Sequence, residues 1–441
     1  MTFDEDCILY LILAFSWTEF LWEFYLSFRQ LKIYKTNTTI PKDLNEMLNE
    51  ESFKKARLYG IDKSQFKMSK ELFNITMMSL ILFNRWIYVG WSVSINFAAQ
   101  FNIAPDREIV ISCFFMTFVT LFNFVVNLPF TIYGTFVLEQ KHGFNKQTPG
   151  FFVKDQLKSL LLSLIITLPI IAIAIYIIML GGNMFVVYLW LFTTVATLIL
   201  LTLYPTVIAP LFDKFVPLPD GNLREGIQNL ASKLNFSLSQ IYIVEGSKRS
   251  AHSNAYFSGL FGAKRIVLFD TLIEKYDEEK KVTTGCSDNE ILGVLAHELG
   301  HWKCSHIYKS IVLTEINLLL LFTAFGFLFK YPMLYKALGF YDSQPVIIGL
   351  IVVLQMILAP YNSILSFFAT ALSRKFEFEA DNFAVALSYS RELKSALIKL
   401  GKDNLDYPIY DKLYSAWYHS HPTLLHRIEN IQSKISDNKV D

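Results

Sequence analysis

Residues 297–301 read HELGH, with two histidines four positions apart and a glutamate directly after the first. On a helix, positions i and i+4 lie on one face, so His297 and His301 can bind one metal ion together. Glu298 is then placed to take a proton from a metal-bound water, as in zinc peptidases. The alternative is a buried histidine pair without a metal, which is disfavoured because the apolar run LGVLAHELGHW supplies the helical context that this motif requires.

A catalytic zinc ion takes three protein ligands and leaves a fourth position open for water, so a third ligand must come from elsewhere in the chain. The best candidate lies in SRKFEFEADNFA, where Glu377 and Asp381 are four positions apart and share a helical face. Glu377 can supply a carboxylate oxygen, and Asp381 can hydrogen-bond a ligating imidazole and select its tautomer. Glu379 points to another side of that helix and is the weaker candidate. These residues predict one Zn²⁺ ion per chain.

A second polar cluster lies near the end of the chain, in YSAWYHSHPTLLHRIEN. His421 and Arg427 can both reach a tetrahedral oxyanion or orient a partner. A structural interpretation is also sufficient, because Pro422 followed by an amphipathic run is typical of a helix start. Three other histidines are expected to be surface or structural residues: His306, His419 and His426.

The helix that carries the pentad is predicted over 290–306, with Asp288 as its N-terminal cap. Gly300 weakens this helix by about 1 kcal/mol relative to alanine. We interpret this glycine as room for a close neighbour.

The longest polar stretch, 211–306, also contains an amphipathic helix and three short strands. The helix is predicted over 221–235, and the strands over 241–246, 254–259 and 265–270. Zinc peptidases often bind an extended substrate along a strand edge, for which Asn254, Ala255 and Tyr256 are the candidates. A core strand with Ala255 and Phe257 facing inward explains the same pattern equally well.

The whole composition indicates a membrane protein. Of the 441 residues, 53% are hydrophobic and only 18% are charged, which is too apolar for an ordinary soluble domain. The net charge of +1 gives no basis for a nucleic-acid partner. The four cysteines show no C-x-x-C spacing and are interpreted as free thiols. The N-terminus lacks a basic region, so its first apolar run is expected to be a signal anchor and not a cleaved signal peptide.

Seven windows are long and apolar enough for membrane helices. They lie near 8–28, 72–98, 109–137, 157–181, 184–209, 307–330 and 346–370. The loop between the first two windows carries ten Lys and Arg residues, whereas the next loop carries only Arg107. By the positive-inside rule, the N-terminus faces the lumen or exterior and the histidines lie at the cytosolic side.

Charged residues inside several of these windows need an explanation. Glu19, Glu23, Arg85 and Glu315 would be costly in contact with lipid. They are consistent either with contacts between helices or with a water-filled cavity inside the bundle.

The combination of these motifs resembles the type I CAAX prenyl endopeptidases. The resemblance rests on LGVLAHELGHW, SRKFEFEAD, SKRSAHSNAYFSGLFGAKRIVLFDTL, EQKHGFNKQT and SHPTLLHRI, and it covers nearly the whole chain. One departure is Glu379, where relatives often have glutamine. The resemblance implies seven helices around a large water-filled chamber, with a gluzincin-like zinc site near its cytosolic face.

The resemblance also implies an activity and a site. Such enzymes remove the last three residues of proteins whose C-terminal CAAX cysteine is prenylated, and some make an upstream cut as well. By motif, the zinc ligands are His297, His301 and Glu377, and Glu298 is the general base. The residues expected to line or support the site are Asn254, His421, Arg427 and Asp381.

Together these observations predict a mainly α, polytopic membrane protein with seven transmembrane helices around an internal cavity and a metalloprotease unit with a small β-sheet. The expected divisions are membrane helices over 1–210 with a cytosolic loop at 29–70, a metalloprotease insertion over 211–306, two helices over 307–370, and a cytosolic region over 371–441 that completes the zinc site. The expected partners are prenylated CAAX proteins and membrane lipid. The resemblance implies residence in the endoplasmic reticulum and inner nuclear membrane, with the active site toward the cytosol.

Two other functions are considered on the basis of the same sequence features. A membrane quality-control protease of broad specificity can have the same zinc site, and equal cleavage of prenylated and unprenylated peptides would favour it. A non-enzymatic membrane scaffold or lipid carrier is disfavoured by the intact ligand set.

Overall fold

Long helices make up most of the molecule. The structure, a computed structural model, describes residues 5–40, 49–259, 264–277 and 282–437. In the membrane-associated parts the α-helices are α1 Glu5–Thr36, α2 Glu50–Phe83, α3 Trp86–Ala99, α4 Glu108–Tyr133, α5 Pro149–Leu180, α6 Phe185–Leu203, α7 Ala209–Phe212, α10 His306–Leu328, α11 Pro332–Lys336, α12 Val346–Ile351 and α13 Ala359–Ala386. The other helices are α8 Asn222–Lys233, α9 Asp288–Lys303, α14 Ser390–Asp403, α15 Lys412–Tyr418 and α16 Leu424–Asp437.

Six short strands and several irregular helical turns complete the described chain. The strands are β1 Phe215–Pro217, β2 Leu238–Val244, β3 Ala255–Ser258, β4 Lys264–Phe269, β5 Lys275–Asp277 and β6 Val282–Thr284. Segments of π-helix extend α4, α6 and α12 over Gly134–Glu139, Tyr204–Ile208 and Val352–Ile357, and short 3₁₀ turns occupy Gly182–Met184 and Gly246–Lys248.

Within the described residues, five continuous helical segments are long and apolar enough to cross a membrane: Glu5–Thr36, Glu108–Glu139, Pro149–Leu180, Gly182–Phe212 and His306–Leu328. Two bent helix pairs bring the number to seven, which agrees with the seven predicted spans. In the most apolar part of Pro149–Leu180 only 11% of the residues are buried inside the chain. The apolar side chains of this span therefore need lipid as their solvent.

The second predicted span is broken at the polar pair that interrupts its sequence. α2 and α3 meet at an angle of 65°, between Asn84 and Trp86. Arg85 at the break has a left-handed backbone with φ +54°, and its guanidinium lies 5.6 Å from the ring centre of Tyr341. A continuous helix would place the Arg85 guanidinium in lipid, which is costly. The break turns the backbone at this position.

The four-stranded sheet has the order β1-β2-β4-β3, so β3 is an edge strand. β2 and β4 are parallel, whereas β3 is antiparallel to β4 and β1 is antiparallel to β2. α8 packs an apolar face against the same core through Leu223, Ile227 and Leu230, as its periodicity predicts. The three predicted strands are confirmed, whereas β1 and the β5–β6 hairpin were not predicted.

The bounds and the cap predicted for the pentad helix are wrong in detail. α9 begins at Asp288, and its cap is Ser287, because Glu290 Oε2 accepts from the Ser287 backbone N–H at 2.8 Å and completes a capping box. It ends at Lys303, because Ser305 turns the chain with φ +58°. His306 therefore starts α10 and is not part of the pentad helix.

A close approach of α9 to α13 brings the two motif-bearing helices together. A Cβ added at Gly300 would lie 3.0 Å from Cα of Ala380 on α13, closer than side chains normally approach. The interpretation of Gly300 as room for a neighbour is confirmed.

Arg249 connects the soluble unit to the membrane helices. Its guanidinium pairs with Asp155 on α5 and with Asp213 after α7, and it donates to the carbonyl of Phe212 at 2.6 Å. The segment that leads into β3 is thereby held against the ends of two membrane helices.

Candidate metal centre

Three side chains predicted as metal ligands converge at one point. Nε2 of His297 and Nε2 of His301 are 3.2 Å apart. The two carboxylate oxygens of Glu377 lie 3.4 Å from the first and 3.2 Å from the second of these nitrogens. Two histidines from one helix and a glutamate from a distant part of the chain thus form a triangle of ligand atoms, with His297 and Glu377 buried.

The triangle has the dimensions of a zinc site. Ligand atoms that each lie about 2.1 Å from a tetrahedral ion are separated by about 3.4 Å. Oε2 of Glu377 is buried without a well-oriented hydrogen-bond donor among the described residues, although Nδ1 of His421 lies 2.9 Å away. Two imidazole nitrogens and one carboxylate are also the donor set that zinc prefers, so these residues fit the metal.

The orientation of His297 is set by its second nitrogen. Nδ1 lies 2.8 Å from Oδ1 of Asp381, so it carries the proton and leaves the lone pair of Nε2 directed at the ligand triangle. Arg427 donates to both oxygens of Asp381, from Nε at 2.9 Å and from NH2 at 2.6 Å. Burial and the nearby Arg427 lower the pKa of His297, but its contacts with Asp381 and Glu377 outweigh them and raise this pKa to about 9 when no metal is bound.

His301 has a corresponding support that sequence reasoning missed. Its Nδ1 lies 2.9 Å from Nδ1 of His306, and Nε2 of His306 lies 3.0 Å from Oε2 of Glu379. His306 is buried and its ring stacks on Phe376 at 4.1 Å. Together, His306 and Glu379 therefore form a chain of hydrogen bonds to His301. The sequence predicts His306 to be a surface or structural residue and Glu379 to be the weaker candidate for a metal ligand. In the sequence, the only indication of this role is that His306 stands at the start of an apolar span.

This chain of hydrogen bonds argues against a second metal ion beside the first. Sγ of Cys304 lies within reach of His306 and Glu379, so the three could form a ligand group. If Nε2 of His301 binds a metal, however, its Nδ1 carries the proton and donates to His306. Nε2 of His306 then carries a proton as well, and it donates to Glu379 instead of binding an ion.

Glu298 adjoins the ligand triangle from the same helix and lines a cavity of about 1090 Å³. Burial raises the pKa of its carboxyl, and the neighbouring imidazoles of His297 and His301 only partly oppose this effect. The carboxylate is consequently a stronger base than an exposed glutamate.

That cavity extends among the membrane helices. Its walls include Thr197 and Leu200 of α6, Tyr256 of β3, His301 of α9, and Glu315 of α10. Glu315, one of the charged residues noted within the apolar windows, accepts a hydrogen bond from Thr194 and lines this space. The hydrogen bond from Thr194 thus gives one intramembrane carboxylate a polar partner inside the helix bundle.

His421 and Arg427 lie on the other side of the triangle. The side chain of His421 is 66% exposed, so it can turn toward a bound substrate. Arg427 is only 11% exposed and its guanidinium is engaged by Asp381, 3.7 Å from Oε2 of Glu377. His419 is partly buried and its carbonyl accepts from Arg374, whereas His426 is exposed, so both agree with surface or structural roles.

The predicted substrate strand lies beside the metal centre. α9 packs against β3. Tyr256 lines the large cavity together with Glu298, whereas Ala255 packs into the core of the sheet. Asn254 is exposed and lines a second cavity, of about 440 Å³, together with His421 and Arg427. β3 and the residue before it therefore pack into the core of the sheet and line both of these cavities.

Comparison with protein families covers almost the whole chain. A family described as CAAX prenyl protease N-terminal, five membrane helices, matches residues 30–214. Peptidase family M48 matches residues 217–435.

Individual proteins match at similar length. A CAAX prenyl protease 1 homolog of Homo sapiens is 46% identical over 449 residues, covering 96% of this chain and 94% of that protein. Another, from Arabidopsis thaliana, is 42% identical and covers 98% of each chain. The crystal structure of S. mikatae Ste24p superimposes with a TM-score of 0.87 at 32% identity, covering 96% of this chain and 98% of that one.

Proposed function

This chain belongs to peptidase family M48, in the group of the CAAX prenyl protease 1 homologues, and on this premise we propose that it removes the last three residues of prenylated CAAX proteins. It is an integral membrane metalloendopeptidase. The observation that carries the proposal is the position of the metal centre, since Glu298 and His301 line a cavity of about 1090 Å³ among the membrane helices. A cavity of this kind can receive a peptide end that carries a lipid.

His297, His301 and Glu377 are the proposed ligands of a single Zn²⁺ ion. A zinc ion held by these three residues would supply Lewis-acid chemistry: it would lower the pKa of a water molecule to about 7 and would polarise the scissile carbonyl. Asp381 and the His306–Glu379 pair hold the two imidazoles in the tautomer that a ligand needs.

Glu298 acts as general base in this proposal. Its carboxylate accepts the proton of the attacking water and passes it to the nitrogen of the leaving amine. No covalent bond between enzyme and substrate forms, so the step consumes one water and releases a tripeptide.

His421 and Arg427 have different roles in the proposed reaction. The exposed His421 can donate a hydrogen bond to the developing oxyanion. Arg427 already donates two hydrogen bonds to Asp381, so its main role is to position Asp381 and, through it, His297. Its positive charge, 3.7 Å from Glu377, also favours negative charge at the site.

The substrate is proposed to bind as an extended strand beside β3. Asn254, Ala255 and Tyr256 are the proposed substrate-binding residues, and of these Ala255 directs its main-chain groups at the open edge. The prenyl chain can lie against the apolar part of the cavity wall, which includes Leu200, Leu201, Ile208 and Ile311. Membrane lipid is the expected solvent for the outer face of the helices.

The proposed location is the endoplasmic reticulum and inner nuclear membrane, with the metal centre toward the cytosol. The Lys and Arg residues of 29–70, a stretch predicted as a loop that the structure shows to include the end of α1 and the first part of α2, support this orientation. We retain the division into membrane helices over 1–210 and 307–370, an insertion over 211–306, and a completing region over 371–441.

Glu298→Gln provides the direct test. The amide keeps the shape of the side chain but cannot accept the proton of the water, so cleavage of a farnesylated CAAX peptide should fall by a factor of about 10²–10⁴. Zinc content, measured by atomic absorption on purified protein, should stay near one per chain. Activity close to that of the unchanged enzyme would refute the role of Glu298.

A matched pair of peptides, with and without the prenyl chain, separates the two protease functions. The proposal requires a clear preference for the prenylated peptide in kcat/KM, because the apolar cavity wall contributes binding energy. Equal rates would support a quality-control protease of broad specificity instead. A protein purified without zinc and without activity would support a scaffold.

A further inference from the structure

His421, the proposed donor to the oxyanion, has a side chain that little else holds in place. The side chain is 66% exposed, and within the described parts of the chain its ring has a polar contact with Oε2 of Glu377, 2.9 Å from Nδ1. It lies in the short irregular segment between the end of α15 at Tyr418 and the start of α16 at Leu424. A donor stabilises a transition state only if it is held in position beforehand. The backbone on either side of His421 must therefore set its position.

The backbone after His421 is fixed by burial and by a helix start. Pro422 and Thr423 are both buried. The proline ring restricts φ to about −65°, and the carbonyl of Thr423 accepts from the backbone N–H of Arg427 at 3.0 Å. This side of His421 is thus anchored to α16.

The backbone before His421 is anchored by Arg374 of α13. NH1 of Arg374 donates to the carbonyl of Ala416 at 3.0 Å and to the carbonyl of His419 at 2.8 Å. The last carbonyls of a helix have no donor within the helix, and an arginine side chain can supply one. The hydrogen bonds that Arg374 makes within the described residues go to these two carbonyls, and no carboxylate pairs with it there. Its guanidinium therefore serves to hold the end of α15.

Arg374 also relates this helix end to the metal centre. Arg374 and Glu377 are three positions apart on α13 and lie on one face of that helix. Two consecutive Cα steps of about 3.8 Å separate His419 from His421, so the anchored carbonyl keeps His421 within about 8 Å of it. A single helix thus carries the proposed metal ligand and holds the segment that brings His421 to it.

The other end of α15 is held independently. Asp411 caps its first turn through Oδ1. Oδ2 of Asp411 accepts from Nε and NH2 of Arg29 on α1, at 3.0 Å and 2.8 Å. Loss of the Arg374 contacts would therefore release only the end of α15 that leads to His421.

We propose that Arg374 is a positioning residue for the reaction, because it holds His421 where its ring can donate to the oxyanion. The inference rests on the proposed function. Arg374 acts through the carbonyls of residues 416 and 419, and it contacts neither the substrate nor the reacting atoms.

A double-mutant cycle with Arg374→Met and His421→Ala provides the test. Methionine keeps an unbranched apolar stem and removes the donors. With a farnesylated CAAX peptide, His421→Ala should lower kcat about a hundredfold. Arg374→Met should lower kcat about tenfold and leave KM within about twofold, because a misplaced donor loses an interaction made only in the transition state. In the His421→Ala background Arg374→Met should cause no further fall, since the residue through which it acts is gone.

Two measurements separate this role from a general structural one. Zinc content of the Arg374→Met protein should stay near one per chain, and a loss of zinc would mean that Arg374 acts through Glu377 instead. Backbone hydrogen exchange over 415–423, followed by mass spectrometry of the whole enzyme, should become faster in the variant. This second measurement does not depend on activity.

Arg57→Met is the matched control, because NH1 of Arg57 donates to the carbonyl of Tyr34 in the last turn of α1, at 3.2 Å. It should leave kcat unchanged. Arg374→Lys keeps a cation that can reach one of the two carbonyls, so it should recover part of the lost kcat. If Arg374→Met does not fold, the lysine variant takes its place in the cycle.

The proposal is overturned if the losses of the two single variants multiply in the double variant, or if exchange over 415–423 is unchanged. If the wild-type enzyme cleaves no farnesylated peptide, the proposed function fails. The exchange measurement then still decides whether Arg374 holds the segment.

Discussion

At the scale of single residues, the two imidazoles of the metal centre are supported in unequal ways. His297 contacts the carboxylate of Asp381 directly, whereas His301 reaches Glu379 only through the ring of His306. Both arrangements place the proton on the nitrogen that faces away from the proposed metal position and direct the lone pair of the other nitrogen at that position. The support of His301 includes one additional residue, His306. A substitution of the carboxylate at its end, Glu379, therefore tests this support.

Glu379→Leu should weaken zinc binding by a factor of about 10 to 100, because His306 loses its acceptor and His301 loses a fixed orientation. Glu379→Gln keeps an oxygen that accepts the same hydrogen bond, so its affinity should stay close to that of the wild type. Competition against a chromophoric chelator measures both affinities.

Lys375→Ala is the matched control for this pair, because it removes only the exposed ammonium 3.8 Å from the other oxygen of Glu379. An exposed pair of this kind contributes little, so no loss of affinity is expected. A leucine variant that binds zinc as tightly as the wild type would contradict the role of the His306–Glu379 pair.

At the scale of elements, two glycines allow the pentad helix α9 to pack closely against two neighbouring helices. Gly300 allows the approach of α13, which carries Glu377. Gly293 allows the approach of α14, since a Cβ there would lie 2.7 Å from the backbone nitrogen of Leu393. The helix is therefore packed backbone to backbone on two sides, which fixes the separation of the proposed metal ligands.

Gly300→Ala tests this packing. Alanine favours an isolated helix by about 1 kcal/mol, but its Cβ forces α9 and α13 apart and should lower stability by about 1–3 kcal/mol in total. Zinc affinity should fall as well, because His301 and Glu377 lie on the two separated helices. The readouts are thermal unfolding in detergent and chelator competition.

Gly293→Ala is the comparison for that variant, since α14 carries no metal ligand. It should lower the unfolding temperature to a similar extent, with a smaller effect on zinc affinity. Equal losses of affinity in the two variants would mean that the spacing between α9 and α13 has no special role.

At the scale of the whole molecule, membrane helices and a soluble unit form one site. The cavity beside Glu298 has walls from α6, α10 and α13 as well as from β3 and α9. Arg249 and the segment 144–146 connect the membrane helices to the strand that the substrate is proposed to use. The peptidase chemistry and the access of a lipid-bearing substrate are therefore properties of the assembled molecule.

The orientation in the membrane gives a prediction at this scale. Asn235 lies in an acceptor sequence, Asn-Phe-Ser, and is exposed after α8. If the metal centre faces the cytosol, this asparagine should carry no glycan when the chain is made in eukaryotic cells. A polar insertion with an acceptor sequence between α3 and α4 should be glycosylated, and the mass shift that glycosidase removes measures both.

A native glycan at Asn235 would reverse the proposed orientation. An insertion that stays unmodified in a protein with normal zinc content would do the same. A short insertion is unsuitable, because the turn between Ala99 and Glu108 is short and joins two candidate membrane spans.

Local sequence alone determined a large part of this protein. The 3.6-residue period places His297 and His301 on one face, and places Glu377 and Asp381 on another, whatever the surrounding fold. Hydropathy likewise determines the seven spans, since about 20 apolar residues have few other stable environments. These predictions depend on neighbours within one or two turns of chain, and they survive in the structure.

Tertiary structure alone decided which distant groups meet. The turn at Ser305 returns His306 to the ring of His301, and the end of α14 places Asn404 against the edge of β3. No periodicity links these residues, because their contacts come from the packing of separate elements. Such contacts exist only in the folded chain.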